Sequence, residues 1–92
     1  MRYEFKPSFE RATKALSTAE RDEIKAACLA FLDLIDLRTR LPLGVGLKHL
    51  DEDFWEIRRG LRYRILFRWQ KDSIEFILAG DHDSIKDFLK NS

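Results

Sequence analysis

The stretch RYRILFRWQKDSIEFILAG, residues 62–80, decides the fold of this chain. Every second residue of its first part is apolar, at Tyr63, Ile65, Phe67 and Trp69. The positions between them carry arginine, at Arg62, Arg64 and Arg68. Residues 70–73 (QKDS) are typical of a turn, and residues 74–80 (IEFILAG) are apolar on both faces, as expected of a central or covered strand. The stretch therefore predicts a β-hairpin with an apolar face and an arginine face.

The segments before this hairpin show two different periods. Residues 2–6 (RYEFK) and 54–59 (FWEIRR) alternate and predict strands. Pro7 and Ser8 end the first strand and start a helix, and Ser17 to Glu20 fit a capping box that begins a second helix. Residues 38–46 (RTRLPLGVG) contain Pro and Gly and are predicted to be a loop. Because a short turn joins the two helices, we expect them to form an antiparallel hairpin.

The end of the chain predicts one more helix. Asp81 or Asp83 is expected to cap it, and Ile85, Phe88 and Leu89 are its apolar contacts. The predicted order is β-α-α-β-β-β-α, an α+β fold with the helical hairpin packed on one face of a small, mainly antiparallel sheet. A length of 92 residues predicts one domain over residues 1–92.

The composition favours a soluble protein of the cytoplasm. Apolar residues make up 45% and charged residues 36% of the chain, and the net charge is +1. The single cysteine, Cys28, lies on the apolar stripe of the second helix, so we expect a core thiol and a reducing compartment. The N-terminal residues lack the apolar core of a signal peptide. The longest apolar run, AACLAFLDLIDL, contains two aspartates and is too short for a membrane span, so no membrane association is predicted.

Positive charge is concentrated on the predicted hairpin. Residues 56–71 contain six basic residues and one acid, Glu56, a local excess of +5. The basic residues are Arg58, Arg59, Arg62, Arg64, Arg68 and Lys71. Side chains on one face of a strand are about 6.6 Å apart, close to the spacing of phosphates along a single nucleic-acid strand. The row therefore indicates either a phosphate-binding surface or a solvated face whose charges prevent edge aggregation.

Four short segments carry a resemblance to a known family. They are LKHL (47–50), FWEIRR (54–59), RYRILF (62–67) and LAGDHD (78–83), and they follow a predicted helical hairpin. The chain resembles the RelE/ParE superfamily of bacterial toxins from toxin–antitoxin pairs. LKHL followed by FW is similar to the YoeB branch, and Gly80-x-His82 followed by the aromatic Phe88 is similar to the RelE branch.

This resemblance implies ribosome-dependent cleavage of messenger RNA. The 2′-hydroxyl attacks the neighbouring phosphate, so the protein must supply a proton acceptor, a proton donor and positive charge for the phosphorane. The resemblance implies no metal and no cofactor. Asp81-His82-Asp83 alone does not predict a metal site, because the sequence offers no second ligand cluster.

The resemblance also implies roles for individual residues. Arg64 holds the scissile phosphate by a bidentate contact, and Arg58 stabilises the same charge. His82 is the general acid, because an imidazole titrates near neutral pH; the alternative is a capping or loop histidine. Glu56 is either the base or an ion-pair partner of an arginine. Lys48 is a further candidate for the base or for a phosphate contact.

The remaining candidates are RNA contacts. His49 is a candidate base or phosphate contact, or an ordinary strand residue. Arg62 and Arg68 are expected to contact phosphates, and Phe88 either stacks on a base or packs in the protein. Trp55 and Trp69 are predicted to be core aromatics.

The implied partners are messenger RNA, the ribosome and a cognate antitoxin with acidic residues and an amphipathic helix. The antitoxin is expected over the arginine face or the helical hairpin, with the toxin as a monomer or dimer within the complex. Two alternatives stay open: a ParE-like toxin that blocks DNA gyrase, and a degenerate, non-catalytic binding protein. The second arises because Asp83 replaces a tyrosine of the YoeB branch, and because the carboxylate that this branch carries upstream of LKHL is missing, with Gly44, Val45 and Gly46 in that area.

Overall fold

The computed structural model describes residues 1–91; Ser92, the last residue of the predicted domain, lies outside them. Along the chain the elements are β1 (Arg2–Phe5), α1 (Pro7–Lys14), α2 (Thr18–Leu37), β2 (Val45–Asp51), β3 (Phe54–Arg59), β4 (Tyr63–Gln70), β5 (Ser73–Gly80) and α3 (His82–Lys90). No helix within residues 1–91 has both the length and the apolar run that crossing a membrane requires.

One five-stranded sheet, in the order β1-β5-β4-β3-β2, organises the structure. β1 pairs in parallel with β5, and every other neighbouring pair is antiparallel. The predicted α+β class is therefore confirmed. The structure adds one strand to the predicted order: Val45 and Gly46, predicted to be the end of a loop, begin the edge strand β2. β2 escaped prediction because it is exposed on much of both faces and its regular structure comes from pairing with β3.

Local sequence signals fix the ends of the helices. α1 begins at Pro7, whose missing N–H is not needed in a first turn. Ser17 caps α2 as predicted: its hydroxyl accepts from the Glu20 backbone N–H at 3.1 Å, and Glu20 Oε1 accepts from the Ser17 N–H at 3.2 Å. Arg38 ends α2 in the left-handed conformation with φ 54°. Asp81, one of the two predicted caps, is the N-cap of α3.

The main core lies between the helical hairpin and one face of the sheet. Its fully buried residues include Phe9, Ile24, Cys28, Phe31, Ile57, Ile65, Phe67, Ile74 and Phe76. Phe31 of α2 packs on Phe67 at 4.6 Å between ring centroids, as the apolar alternation of β4 requires. Burial raises the pKa of the Cys28 thiol, so Cys28 is a packing residue and does not supply a thiolate.

The second face of the sheet is partly covered by α3. Leu66 is fully buried and Ile85 is 2% exposed, yet neither belongs to the main core. Leu66 lies between Arg64 and Arg68 on β4, and α3 contacts both β4 and β5. The prediction of an exposed arginine face is therefore corrected. Leu66, an apolar residue between Arg64 and Arg68, is buried on this face, and the packing of α3 there limits the exposure of the arginines.

Candidate nucleic-acid interface

A single register row across four strands holds the two central arginines. Gly46 of β2 pairs with Arg58 of β3, Arg58 with Arg64 of β4, and Arg64 with Gly80 of β5. We call Gly46, Arg58, Arg64 and Gly80 the arginine row. Residues directly opposite on antiparallel strands have Cα atoms about 4.5–5.5 Å apart, so two arginines there repel unless an anion lies between them.

Glu56 supplies that anion. Its Oε2 accepts from Arg58 Nε at 2.9 Å and from Arg64 Nη1 at 3.3 Å. The carboxylate side chain is 4% exposed, whereas the side chains of Arg64 and Arg58 are 20% and 42% exposed. One carboxylate thus orients two guanidinium groups and leaves a net charge of +1 among the three. This geometry corresponds to the ion-pair alternative for Glu56.

Both arginines retain donors for an incoming anion. Oε2 engages only Nε of Arg58 and only Nη1 of Arg64, so other N–H groups of each guanidinium remain. Nε of Arg64 is buried and has no hydrogen-bond partner within residues 1–91. A buried donor without an acceptor is unfavourable, and Nε of Arg68, on the same strand, is in the same state within residues 1–91.

The two glycines at the ends of the arginine row have different surroundings. A Cβ on Gly46 would meet nothing within 4 Å, so the surface beside Arg58 is open. A Cβ on Gly80 would lie 3.0 Å from Ser84 Cβ, so Gly80 lets α3 approach the sheet closely. The sequence prediction missed the role of Gly46 because this residue was assigned to a loop, and it missed the role of Gly80 because the packing of α3 on the sheet is a tertiary contact.

His82 begins α3, two residues beyond Gly80. Because Gly80 pairs with Arg64, the Cα atoms of Arg64 and His82 lie no more than about 13 Å apart. The structure therefore puts both residues at the same end of the sheet. His82 is exposed, and its ring has no hydrogen bond within the described residues. The neighbouring cap, Asp81, accepts from the Ser84 N–H at 2.8 Å, and this bond lowers the pKa of the Asp81 carboxyl.

Lys48 and His49, although adjacent in the chain, have different surroundings. Lys48 is exposed and pairs in register with Glu56, so it lies two residues along β2 from Gly46 of the arginine row. His49 pairs with Trp55 instead, near the opposite end of β3. Its Nε2 lies 2.8 Å from the backbone oxygen of Glu52 and its ring stacks 4.7 Å from Trp55. The structure therefore brings Lys48, and not His49, to the arginines.

Arg62 and Arg68 are not free members of the row. Arg62 belongs to the turn before β4, lies 5.2 Å from the Tyr63 ring and lines a cavity with Ala12 and Leu16 of the helical hairpin. Arg68 shares the face of Arg64, but its Nη2 is paired with Glu75 Oε1 at 2.9 Å. The predicted line of three equivalent arginines is therefore reduced to Arg64 on β4, joined by Arg58 from β3.

Phe88 lies on α3, six residues after His82, and is half-buried. A rise of 1.5 Å per residue separates the two by about 9 Å along the helix axis. Phe88 therefore lies well along the helix that contacts β4 and β5, and not beside His82.

Aromatic side chains line a cleft at the other end of the sheet. We call it the tryptophan cleft; its residues are His49, Glu52, Asp53, Trp55, Trp69, Gln70 and Lys71, and its volume is about 380 Å³. The rings of Trp55 and Trp69 are 5.4 Å apart, and both residues are half-buried. The prediction that they are core aromatics holds for one side of each ring, which packs on the core.

A cavity of about 480 Å³ between α1 and α2 is lined by basic residues but is not the same kind of site. Arg21 donates to the backbone oxygens of Thr13, Lys14 and Leu16 at the end of α1. Lys25 pairs with Glu10 at 3.5 Å. Arg21 and Lys25 therefore stabilise the helical hairpin.

Comparison with solved structures identifies the fold. A chain of the RelB–RelE antitoxin–toxin complex from Methanococcus jannaschii is 24% identical, with a TM-score of 0.65 over 91% of this chain and 95% of that chain. A chain of the DinJ–YafQ complex from Escherichia coli is 15% identical, with a TM-score of 0.68 over 92% and 98%. A chain of the RelBE2 toxin–antitoxin complex from Mycobacterium tuberculosis is 16% identical, with a TM-score of 0.63 over 88% and 96%.

No protein-family model and no curated protein sequence matches the chain. The likeness is thus one of structure: the chain has the fold of RelE and YafQ toxins along most of its length. The resemblance to the RelE/ParE superfamily is confirmed at the level of the fold.

Proposed function

We propose that this chain, as a single domain, is the toxin of a toxin–antitoxin pair and cleaves messenger RNA bound to the ribosome in the cytoplasm. The observation that carries the proposal is the Arg58–Glu56–Arg64 group: two guanidiniums oriented by one buried carboxylate, at the end of the sheet where His82 begins α3. A site of this kind suits a phosphodiester, because it offers fixed positive charge and a titratable imidazole.

In the proposed reaction the ribose 2′-hydroxyl attacks the adjacent phosphorus. The oxygen–phosphorus bond to the next nucleotide breaks, which leaves a 2′,3′-cyclic phosphate and a 5′-hydroxyl. Arg64 and Arg58 donate to the phosphate oxygens, whose negative charge grows as the phosphorane forms. Because Glu56 already holds the guanidiniums in place, little reorganisation is needed when that charge develops.

Two protons must move. His82, as imidazolium, gives a proton to the departing 5′-oxygen, and its exposed position at the start of α3 leaves the ring free to reach RNA. Lys48 and Glu56 are the candidates for accepting the 2′-hydroxyl proton, since they face each other across β2 and β3. Of the two, Glu56 already accepts from both arginines, whereas Lys48 has no hydrogen bond or ion pair within residues 1–91. Phe88 on α3 and Arg62 before β4 are the candidates for outer RNA contacts.

We also propose an antitoxin partner. Two of the fold neighbours come from complexes described as antitoxin–toxin or toxin–antitoxin, RelB–RelE and RelBE2. An acidic, amphipathic helix matches the charge of the arginine row and would exclude RNA from it. Inhibition by direct competition for Arg58 and Arg64 is the expected consequence.

The test is incubation of the chain with ribosomes programmed with a defined messenger RNA. The expected products are fragments that end in a 2′,3′-cyclic phosphate and that are absent without ribosomes. Intact RNA in this assay, together with normal translation when the chain is expressed alone, contradicts the proposal. Loss of supercoiling by DNA gyrase in a parallel reaction would instead identify the ParE-like alternative.

A non-catalytic binding protein is the second candidate. It is favoured by the double engagement of Glu56 and by a His82 ring that has no orienting hydrogen bond within residues 1–91. It predicts RNA binding that depends on Arg64 and Arg58, without cleavage. A filter-binding assay run beside the cleavage assay separates the two candidates.

A further inference from the structure

The tryptophan cleft is a built aromatic surface far from the arginine row. Phe31 of the core contacts Trp69 edge-on, with centroids 5.4 Å apart and planes at 86°. Trp55 lies between Trp69 and His49, at 5.4 Å and 4.7 Å between ring centroids. Packing therefore fixes the inner side of each indole, while the outer side lines an open cleft.

The rim of the cleft is acidic. Glu52 and Asp53, in the turn between β2 and β3, line it, and Asp51 immediately precedes them. Within the part of the chain that the structure describes, none of these three carboxylates forms an ion pair. By contrast, Glu56 and Glu75, which face inward on the sheet, are each paired with two cations.

We propose that the tryptophan cleft binds an arginine side chain presented by a partner protein. A cation above an indole face within about 6 Å is attracted by the ring, and carboxylates on the rim add hydrogen-bond acceptors for it. Arginine fits better than lysine, because a planar guanidinium can stack on an aromatic ring and bind a carboxylate through two N–H groups at once. The inference does not depend on the proposed function, since it concerns a different surface.

Charge argues against RNA as the occupant. A base stacked on Trp55 or Trp69 would bring its phosphates near Glu52 and Asp53, which repel them. Lys71 is the one cationic side chain that lines the cleft, so within residues 1–91 the anions of this turn outnumber the cations there. The arginine end and the tryptophan end of the sheet therefore select partners of opposite charge.

The chain provides its own reporter for a test. It has two tryptophans, and both line the cleft, so intrinsic fluorescence reports on the cleft alone. The probes are acetyl-Gly-Arg-Gly-amide and the same peptide with citrulline, whose side chain has the same shape without the charge. We expect saturable quenching by the arginine peptide and about tenfold weaker binding of the citrulline peptide.

Two variants locate the effect. Glu52→Gln combined with Asp53→Asn removes the rim charge from an exposed turn and is expected to weaken binding of the arginine peptide by about tenfold. The control is Asp72→Asn in the neighbouring turn, which removes one carboxylate charge outside the cleft and should alter binding by less than about twofold. Circular dichroism confirms that each variant is folded.

Three outcomes overturn the inference. The first is equal binding of the arginine and citrulline peptides, and the second is unchanged binding by the Glu52→Gln, Asp53→Asn variant. The third is a uridine monophosphate titration that quenches the tryptophans at lower concentration than the arginine peptide, because it would identify a nucleobase site. Failure of RNA cleavage by the chain leaves this inference unaffected.

Discussion

The two ends of the sheet handle charge in opposite ways. At the arginine end, the anion is central and nearly buried, and the cations around it retain unused donors. At the tryptophan end, the anions are exposed on a turn and surround aromatic rings. The same strands, β3 and β4, supply both ends, so one sheet presents a site for anions and a surface for cations about five residues apart.

This difference teaches where a charge has structural consequences. A carboxylate that is removed from water must be paired, and the pairing fixes the geometry of its partners. A carboxylate on an exposed turn is solvated and contributes little to stability, which leaves it available for a partner. Substitutions at the two ends should therefore separate stability from binding.

The largest effect is expected from Arg64→Ala. It removes a guanidinium that Glu56 orients beside Arg58 and that is proposed to bind the phosphorane, so cleavage of ribosome-bound RNA should fall by about 10² to 10³-fold. Single-turnover cleavage rates measure it. Arg68→Ala is the matched control, because it removes the same charge from the same strand face outside the Arg58–Glu56–Arg64 group. Equal losses in the two variants would mean that only total charge matters.

The next effect compares two carboxylates. Glu56→Gln leaves Arg58 and Arg64 opposite each other without an anion and should lower the free energy of unfolding by about 2 kcal/mol. Water around the exposed Arg58 screens part of the repulsion and keeps the cost from being larger. Glu52→Gln makes the same chemical change on the exposed turn and should alter the free energy of unfolding by less than about 0.5 kcal/mol. Urea titrations followed by circular dichroism give both values; similar values would remove the distinction between the two ends.

The two glycines of the arginine row should also differ. Gly80→Ala brings a Cβ to 3.0 Å from Ser84 Cβ and should cost about 1 kcal/mol of unfolding free energy, because α3 must move away from the sheet. Gly46→Ala enters open space and should change stability by less than about 0.5 kcal/mol. Thermal unfolding of the two variants tests the pair, and an equal cost would contradict the close approach of α3.

The smallest effect concerns pH. Hydrogen bonding to Lys6, and the charges of Arg68 and Lys6, lower the pKa of Glu75 from its ordinary value of 4.5. A lowered folded-state pKa stabilises the protein above pH 4.5, and the gain disappears as the pH falls through the folded value. Glu75→Gln should therefore cost about 1 kcal/mol or less at pH 7 and nothing near pH 2. A difference between variant and parent that persists in acid would exclude this linkage.

Much of the fold is local in origin and was accessible from the sequence. The capping box at Ser17, the proline at the start of α1, the aspartate before α3 and the alternation of β3 and β4 each specify their own element within a few residues. The edge strand β2 was not accessible, because its exposed residues show little alternation and its hydrogen bonds belong to β3.

The candidate site divides in the same way. The sequence by itself showed arginines alternating with apolar residues, and the resemblance to the RelE/ParE superfamily added Arg58, Arg64, Glu56 and His82 as candidate site residues. Only the tertiary structure decided that Glu56 holds two arginines, that Arg68 is paired with Glu75 and that His49 joins the tryptophan cleft. The physical reason is that pairing register and the path of α3 determine which side chains meet, and both arise from contacts between residues distant in the chain.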